Sequence, residues 1–124
     1  MLKIQKVDRR MNGYGDFKYR IVFGVGCFLG SDRSTAAVIE AWDNSMKAFL
    51  LCTKYMTDKY EYGPELKLVK FMKQNGDGVP LWATRHAYSV LHTTQPDTIY
   101  LRDDEARTKI EEVFIFLQLK YNKA

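Results

Sequence analysis

The chain has little of what announces a reaction. It contains two cysteines, Cys27 and Cys52, and they make neither a C-x-x-C pair nor a zinc-binding spacing. That excludes a dithiol redox motif and a cysteine-built zinc site. In a reducing compartment both read as buried thiols. No apolar run approaches the ~18 residues needed to span a bilayer. The start, Met1-Leu2-Lys3-Ile4-Gln5-Lys6, breaks its apolar residues with charges and lacks the apolar stretch of a signal peptide. The expected location is therefore cytoplasmic, with no membrane association. No Lys-Ser/Thr pair closes a glycine loop, so no P-loop is present. No Ser/His/Asp or Cys/His signature appears, and nothing calls for a metal or cofactor. No repeat, low-complexity segment or linker divides the chain, and 1–124 reads as one domain.

What is present is a core. The 124 residues are 46% hydrophobic and 14% aromatic. That suffices to bury a sizeable interior and argues against extensive disorder. The net charge of +4 is unevenly placed. Lys3, Lys6, Arg9, Arg10, Lys18 and Arg20 face only Asp8 and Asp16 within the first 23 residues, and the remainder is balanced. A local basic patch attracts anionic partners. Cations also keep an edge strand soluble and unpaired, which explains them without a partner.

Leu2 to Val7 alternates as a strand, Asn12-Gly13-Tyr14-Gly15-Asp16 is turn chemistry, and Phe17 to Phe23 alternates cleanly. The pair reads as a hairpin with Phe17, Tyr19, Ile21 and Phe23 in the core and Lys18, Arg20 and Val22 outward. After a glycine-rich connector, a helix capped by Ser31, Asp32 or Ser34 carries the stripe Ile39, Trp42, Met46, Phe49, Leu50, Thr53 and Met56. It ends between Asp58 and Gly63, before Pro64. Leu66 to Lys73 fits strand or short helix; strand is chosen because the turn Asn75-Gly76-Asp77-Gly78 follows. Leu81 to His92 and Thr98 to Arg102 read as strands around a Gln95-Pro96-Asp97 loop. Asp103-Asp104-Glu105 opens a second helix that buries Ala106, Ile110 and Val113. Phe114 to Tyr121 either continues that helix or forms a last strand; its β propensity favours the strand. The expected fold is α+β, a mainly antiparallel sheet of about five or six strands with two helices packed on it.

Several motifs invite a site. Gly24-Val25-Gly26-Cys27-Phe28-Leu29-Gly30 lies between a strand and a helix, where glycines let backbone approach phosphate. Gly24, Gly26 and Gly30 are thus nucleotide-binding candidates, although the chain is short and does not alternate strand with helix as a dinucleotide domain does. A flexible connector between hairpin and helix explains them without a ligand and is the preferred reading. His92-Thr93-Thr94 supplies one H-x-T of the two that two-histidine phosphoesterases use; His86, followed by Ala87-Tyr88, does not supply the second. Arg102 ends a strand beside a helix start, where a guanidinium can clamp a carboxylate or phosphate or pair with Asp103, Asp104 or Glu105.

The candidate binding residues are Lys3, Arg9, Arg10, Tyr14, Lys18, Arg20 and Arg102. Only Tyr14 is placed to stack on a base, and the total charge is modest for a nucleic-acid binder. The expectation is a small non-enzymatic interaction protein, of the texture of phage-encoded accessory proteins. It would bind a protein or an anionic ligand through the basic hairpin and could form a homo-oligomer. A nucleic-acid-binding domain is the alternative. A small nucleotide-binding protein or phosphoesterase-like enzyme is a further one.

Overall fold

A computed structural model describes residues 2–60, 63–66, 78–85 and 97–121. Within them the chain is α+β. The elements are β1 (Ile4–Lys6), β2 (Tyr19–Phe23), a 3-10 turn (Val25–Cys27), α1 (Thr35–Lys59), β3 (Trp82–Arg85), β4 (Asp97–Leu101) and α2 (Asp104–Tyr121). The described sheet has four strands in the order β1-β2-β4-β3, not five or six. Every neighbouring pair is antiparallel. The expected strand Phe114 to Tyr121 belongs to α2. The expected strand over Leu66 to Lys73 and its turn lie outside the described residues, Leu66 and Gly78 apart. So does the portion of Leu81 to His92 beyond Arg85.

The hairpin forms as its alternation dictates. Ile4 pairs with Ile21, and Lys6 with Tyr19. Phe17, Tyr19, Ile21 and Phe23 are all buried. Between the strands, Gly13 and Gly15 take positive φ of 87° and 91°, which only glycine adopts cheaply. The loop then folds back over the sheet, and the amide of Phe17 donates to the Gly13 carbonyl.

Both helices start where capping chemistry places them. Ser34 caps α1, its hydroxyl accepting from the Ala37 amide at 3.2 Å. Asp103 caps α2, accepting from the Ala106 amide at 3.1 Å. The burial of α1 departs from the expected stripe. Only Phe49 and Met56 of that stripe are buried; the core face is Ala41, Ser45, Ala48, Phe49, Cys52 and Met56. Small residues let the helix lie close on the sheet, and this displaces the larger Ile39, Met46 and Leu50 to the outside. In α2 the helical period running from Ala106 through Ile110 and Val113 continues to Phe114 and Leu117. No glycine or proline interrupts it, so packing on the sheet overrides local β propensity.

Helices cover one face of the sheet, and the main core lies between. A second, smaller cluster of Val7, Phe17, Ala83 and Tyr100 lies elsewhere, joined by Met11, Leu66 and Val79. Alternation assigns Ala83 and Tyr100 to the face opposite α1 and α2, so the 7–17 loop covers one end of that face. The outer side of β3 is met by residues 63–66, where Thr84 donates its amide to the Pro64 carbonyl and pairs with Glu65.

Candidate functional site

The pairing register sorts the basic residues onto different surfaces. Directly opposed residues share a face, so Ile4, Ile21, Ile99 and Thr84 point toward the helices. Their neighbours point away. One row across the face opposite α1 and α2 is Gln5, Arg20, Tyr100 and Ala83. The next row joins Val22, Thr98 and Arg85, with Lys3 at its β1 end by alternation. Lys3, Arg20 and Arg85 therefore stand on one face, and none of its described strand positions is a carboxylate. Arg20 is half-buried, and its Nε donates to Gln5 Oε1 at 3.2 Å, which holds the guanidinium against the sheet.

Arg9, Arg10 and Tyr14 sit on the loop that covers the Tyr100 end of this face. Arg9 and Arg10 are exposed. The amide of Arg10 donates to Asp8 Oδ1, and its guanidinium lies 3.8 Å from the same carboxylate. Tyr14 is 58% exposed, whereas Phe17, Tyr19 and Tyr100 are buried. The loop thus removes from the surface the aromatic that a bare sheet would have offered for stacking.

Lys18 does not join this group. Its ammonium donates to both oxygens of Asp104, at 3.2 and 3.1 Å, in the first turn of α2. Tyr19 donates its hydroxyl to Asp104 Oδ1 at 2.5 Å, and the Arg107 guanidinium lies 4.9 Å from the Tyr19 ring centre. The Tyr19 hydrogen bond, followed by that from Lys18, holds the Asp104 carboxyl below the usual range. The Asp104 bond raises the Lys18 ammonium correspondingly.

Arg102 is spent on its own chain. Its Nε donates to Asp103 at 2.9 Å, and its terminal nitrogens donate to Glu105 at 3.2 Å and to the Val79 carbonyl at 3.3 Å. Burial pushes Asp103 up, but hydrogen bonds from the Ala106 amide and from Arg102 outweigh it and leave the carboxyl low. The guanidinium ties the end of β4 to the first turn of α2, the structural alternative that its sequence position also allowed.

The glycine connector contains the 3-10 turn, with Gly24 just before it and Gly26 inside. Ser34, the α1 cap, lies four residues beyond Gly30, so the glycines do not run directly into the helix. Cys27 is half-buried, and its thiol donates to the Val22 carbonyl at 3.4 Å; Cys52 is fully buried. His86 and His92 lie outside the described residues. Among the described residues no cluster of His, Cys, Asp and Glu could hold a metal, and no helix is long and apolar enough to cross a membrane.

Sequence reasoning missed Arg85. A strand over Trp82–Arg85 was legible within the expected Leu81 to His92, but its partner was not, so nothing set Arg85 beside Arg20. No family model matches the chain, and neither a curated protein nor a solved structure is significantly similar to it.

Proposed function

We propose that the chain is a small non-enzymatic binding protein that engages an acidic segment of a partner protein. The binding surface is the sheet face opposite α1 and α2, together with the 7–17 loop. One observation carries this reading: Lys3, Arg20 and Arg85 share a face whose described strand positions include no carboxylate. Arg9 and Arg10 border it. Like charges collected on one surface raise the local potential and draw an anionic partner. The Gln5–Arg20 hydrogen bond pre-orders one guanidinium, which lowers the entropy lost on binding.

A protein partner is favoured over nucleic acid by the aromatics. Single-stranded nucleic acid is held by exposed rings on which bases stack. Among the described residues, Tyr14 is the single exposed ring beside the basic residues of this face, since Phe17 and Tyr100 are covered. Lys18 is assigned to the Asp104 ion pair, and Arg102 to holding the α2 start.

The test is chromatography on immobilised polyglutamate and on immobilised single-stranded DNA, with a salt gradient. The wild type should be retained on polyglutamate and released by rising salt. Lys3→Glu/Arg20→Glu should pass through, while Lys18→Glu should elute near the wild type. Retention of the double variant at wild-type salt would refute this surface. Stronger retention on DNA than on polyglutamate would replace the acidic segment with nucleic acid as the partner.

A further inference from the structure

β1 is an outer strand of the described sheet, and its backbone groups alternate in direction. The Val7 amide donates to the Lys18 carbonyl at 2.9 Å, so in this register Lys3, Gln5 and Val7 turn their amides and carbonyls inward to β2. The far edge sets the same phase. Thr84 donates outward to Pro64, which makes Ile99 and Ile21 a bonded pair and Arg20 and Gln5 the next. Leu2, Ile4 and Lys6 therefore turn their backbone groups outward. The Leu2 carbonyl agrees, since it accepts from Gln118 Nε2 of α2 at 3.1 Å. Among the described residues no such partner meets the amides and carbonyls of Ile4 and Lys6. Ile4 is half-buried and Lys6 exposed. Open backbone groups in a row are a template for a further strand.

We infer that an acidic segment of a partner protein adds to β1 as an antiparallel strand, hydrogen-bonded to Ile4 and Lys6. This rests on the reading that the partner is acidic, and it specifies how the segment is held. The charges choose the occupant. Lys3 and Lys6 flank the open groups on opposite faces of the strand, and among the described residues neither has an ion-pair partner. The next carboxylate, Asp8, lies beyond Lys6 and is engaged by Arg10. Lysines on an edge guard it against stray strands. Here the guard is selective. A second copy using both open residues would pair about Gln5. It would gather two Lys3 and two Lys6 along one seam, with no acid among the paired residues. Like charges across an interface reject such a partner, whereas an acidic strand turns the same lysines to attraction.

The register then gives the segment a pattern. Directly opposed residues share a face. Opposite Lys6 an acid fits. Opposite Ile4, which packs against the main core, an apolar residue fits. Opposite Lys3 a second acid fits. Read along the partner chain, this is acid, any residue, apolar, acid. The second acid stands on the face that carries Lys3 and Arg20, and the first on the side of the helices. Gln118 already holds the Leu2 carbonyl, so the bonded stretch ends at Ile4.

Fluorescence anisotropy with a labelled, end-blocked peptide, Ser-Glu-Thr-Val-Glu-Ser, tests this on the unmodified protein. Its valine amide would donate to the Ile4 carbonyl, and its threonine amide would point away. N-methylation of the valine should raise the dissociation constant at least about tenfold. N-methylation of the threonine should change it by no more than about twofold. Lys6→Pro removes an outward amide that β2 does not use, so it should bind the peptide more weakly than Lys6→Gln, which removes only the charge. A bound peptide that responds alike to the two N-methylations would overturn strand addition and leave the acidic partner standing. So would retention on polyglutamate with no peptide binding up to about 1 mM. Failure on polyglutamate and peptide together would remove the acidic partner itself, and strand addition with it.

Discussion

Tyr19 and Asp104, 85 residues apart in the chain, are joined by a hydrogen bond from phenol to carboxylate at 2.5 Å. Lys18, the residue just before β2, closes on the same carboxylate. The hairpin is thereby fastened to the first turn of α2, and an anion at that helix end is also favoured by the dipole. The stability this adds depends on Asp104 being ionised. Its folded-state pKa is depressed, with the Tyr19 bond as the larger cause. The contribution is therefore present above the unfolded value of about 4 and is lost as pH falls through the lower folded value. Melting midpoints measured from about pH 7 to pH 2 should fall more steeply for the wild type than for Asp104→Asn, and the two curves should converge in acid. Tyr19→Phe should behave intermediately. The Asp104 side chain is 71% exposed, so solvent screening keeps the difference small. A constant offset between the curves at every pH would mean that packing, not charge, accounts for the effect.

A second prediction concerns the turn. Gly13 and Gly15 have nearly the same positive φ, but their surroundings differ. A Cβ on Gly13 would lie 3.1 to 3.3 Å from the rings of Tyr100 and Phe17, whereas a Cβ on Gly15 would meet nothing within 4 Å. Gly15→Ala should thus lose only the conformational term, about 1 kcal/mol. Gly13→Ala should lose that and also push the loop off Tyr100, for a total of about 2 kcal/mol or more. Urea denaturation of the two variants measures the difference. Equal losses would show that the loop does not rest on Tyr100.

The contrast between hairpin and helices shows where sequence reading succeeds. Phe17 to Phe23 could be read because its period of two is uninterrupted and its turn residues have a strict conformational role. In α1 two periodic sets compete: Ile39, Met46 and Leu50 against Ala41, Ser45, Ala48 and Cys52. Hydrophobicity alone selects the bulkier set. Close approach of helix to sheet selects the smaller, aided by the Ser45 hydroxyl donating to the Phe23 carbonyl. For Phe114 to Tyr121 the residue types favoured a strand, and the frame that decides the matter was set upstream at Ala106. The candidate site suffered a different loss. Lys3 and Arg20 were legible together through one hairpin. Arg85 entered only through β4, because strand order is a long-range property that local pattern does not contain.

Thiol reactivity gives a third prediction. Burial pushes the Cys52 thiol up to about 12, while Cys27 is half-buried at the end of the 3-10 turn. At about pH 8 the Cys52 thiolate fraction is on the order of one in ten thousand, and reagent cannot reach it without an opening of the core. Iodoacetamide should therefore modify Cys27 first in the native protein. Cys52 should follow only at the rate at which the α1–sheet core opens, and both should react alike in denaturant. Peptide mass spectrometry over a time course reads this directly. Simultaneous labelling of the two would mean that α1 leaves the sheet far more easily than its packing implies.

The last prediction concerns a contact made without a side chain. Gly63 lies so close to Trp82 that a Cβ would sit 2.5 to 2.7 Å from the indole carbons. Trp82 is nearly fully buried on the helix side of β3, so the ring cannot swing aside without disturbing the main core. Gly63→Ala must then displace residues 63–66, which also supply the Pro64 carbonyl that accepts from Thr84. The expected loss is about 1–3 kcal/mol. Trp82→Phe leaves a cavity and is costly by itself, but it also vacates the space that the alanine methyl needs. The double variant should therefore be more stable than the sum of the single losses predicts, with a coupling of about 1 kcal/mol or more. Strict additivity in chemical denaturation would show that Gly63 is required for backbone freedom and not for its contact with the indole.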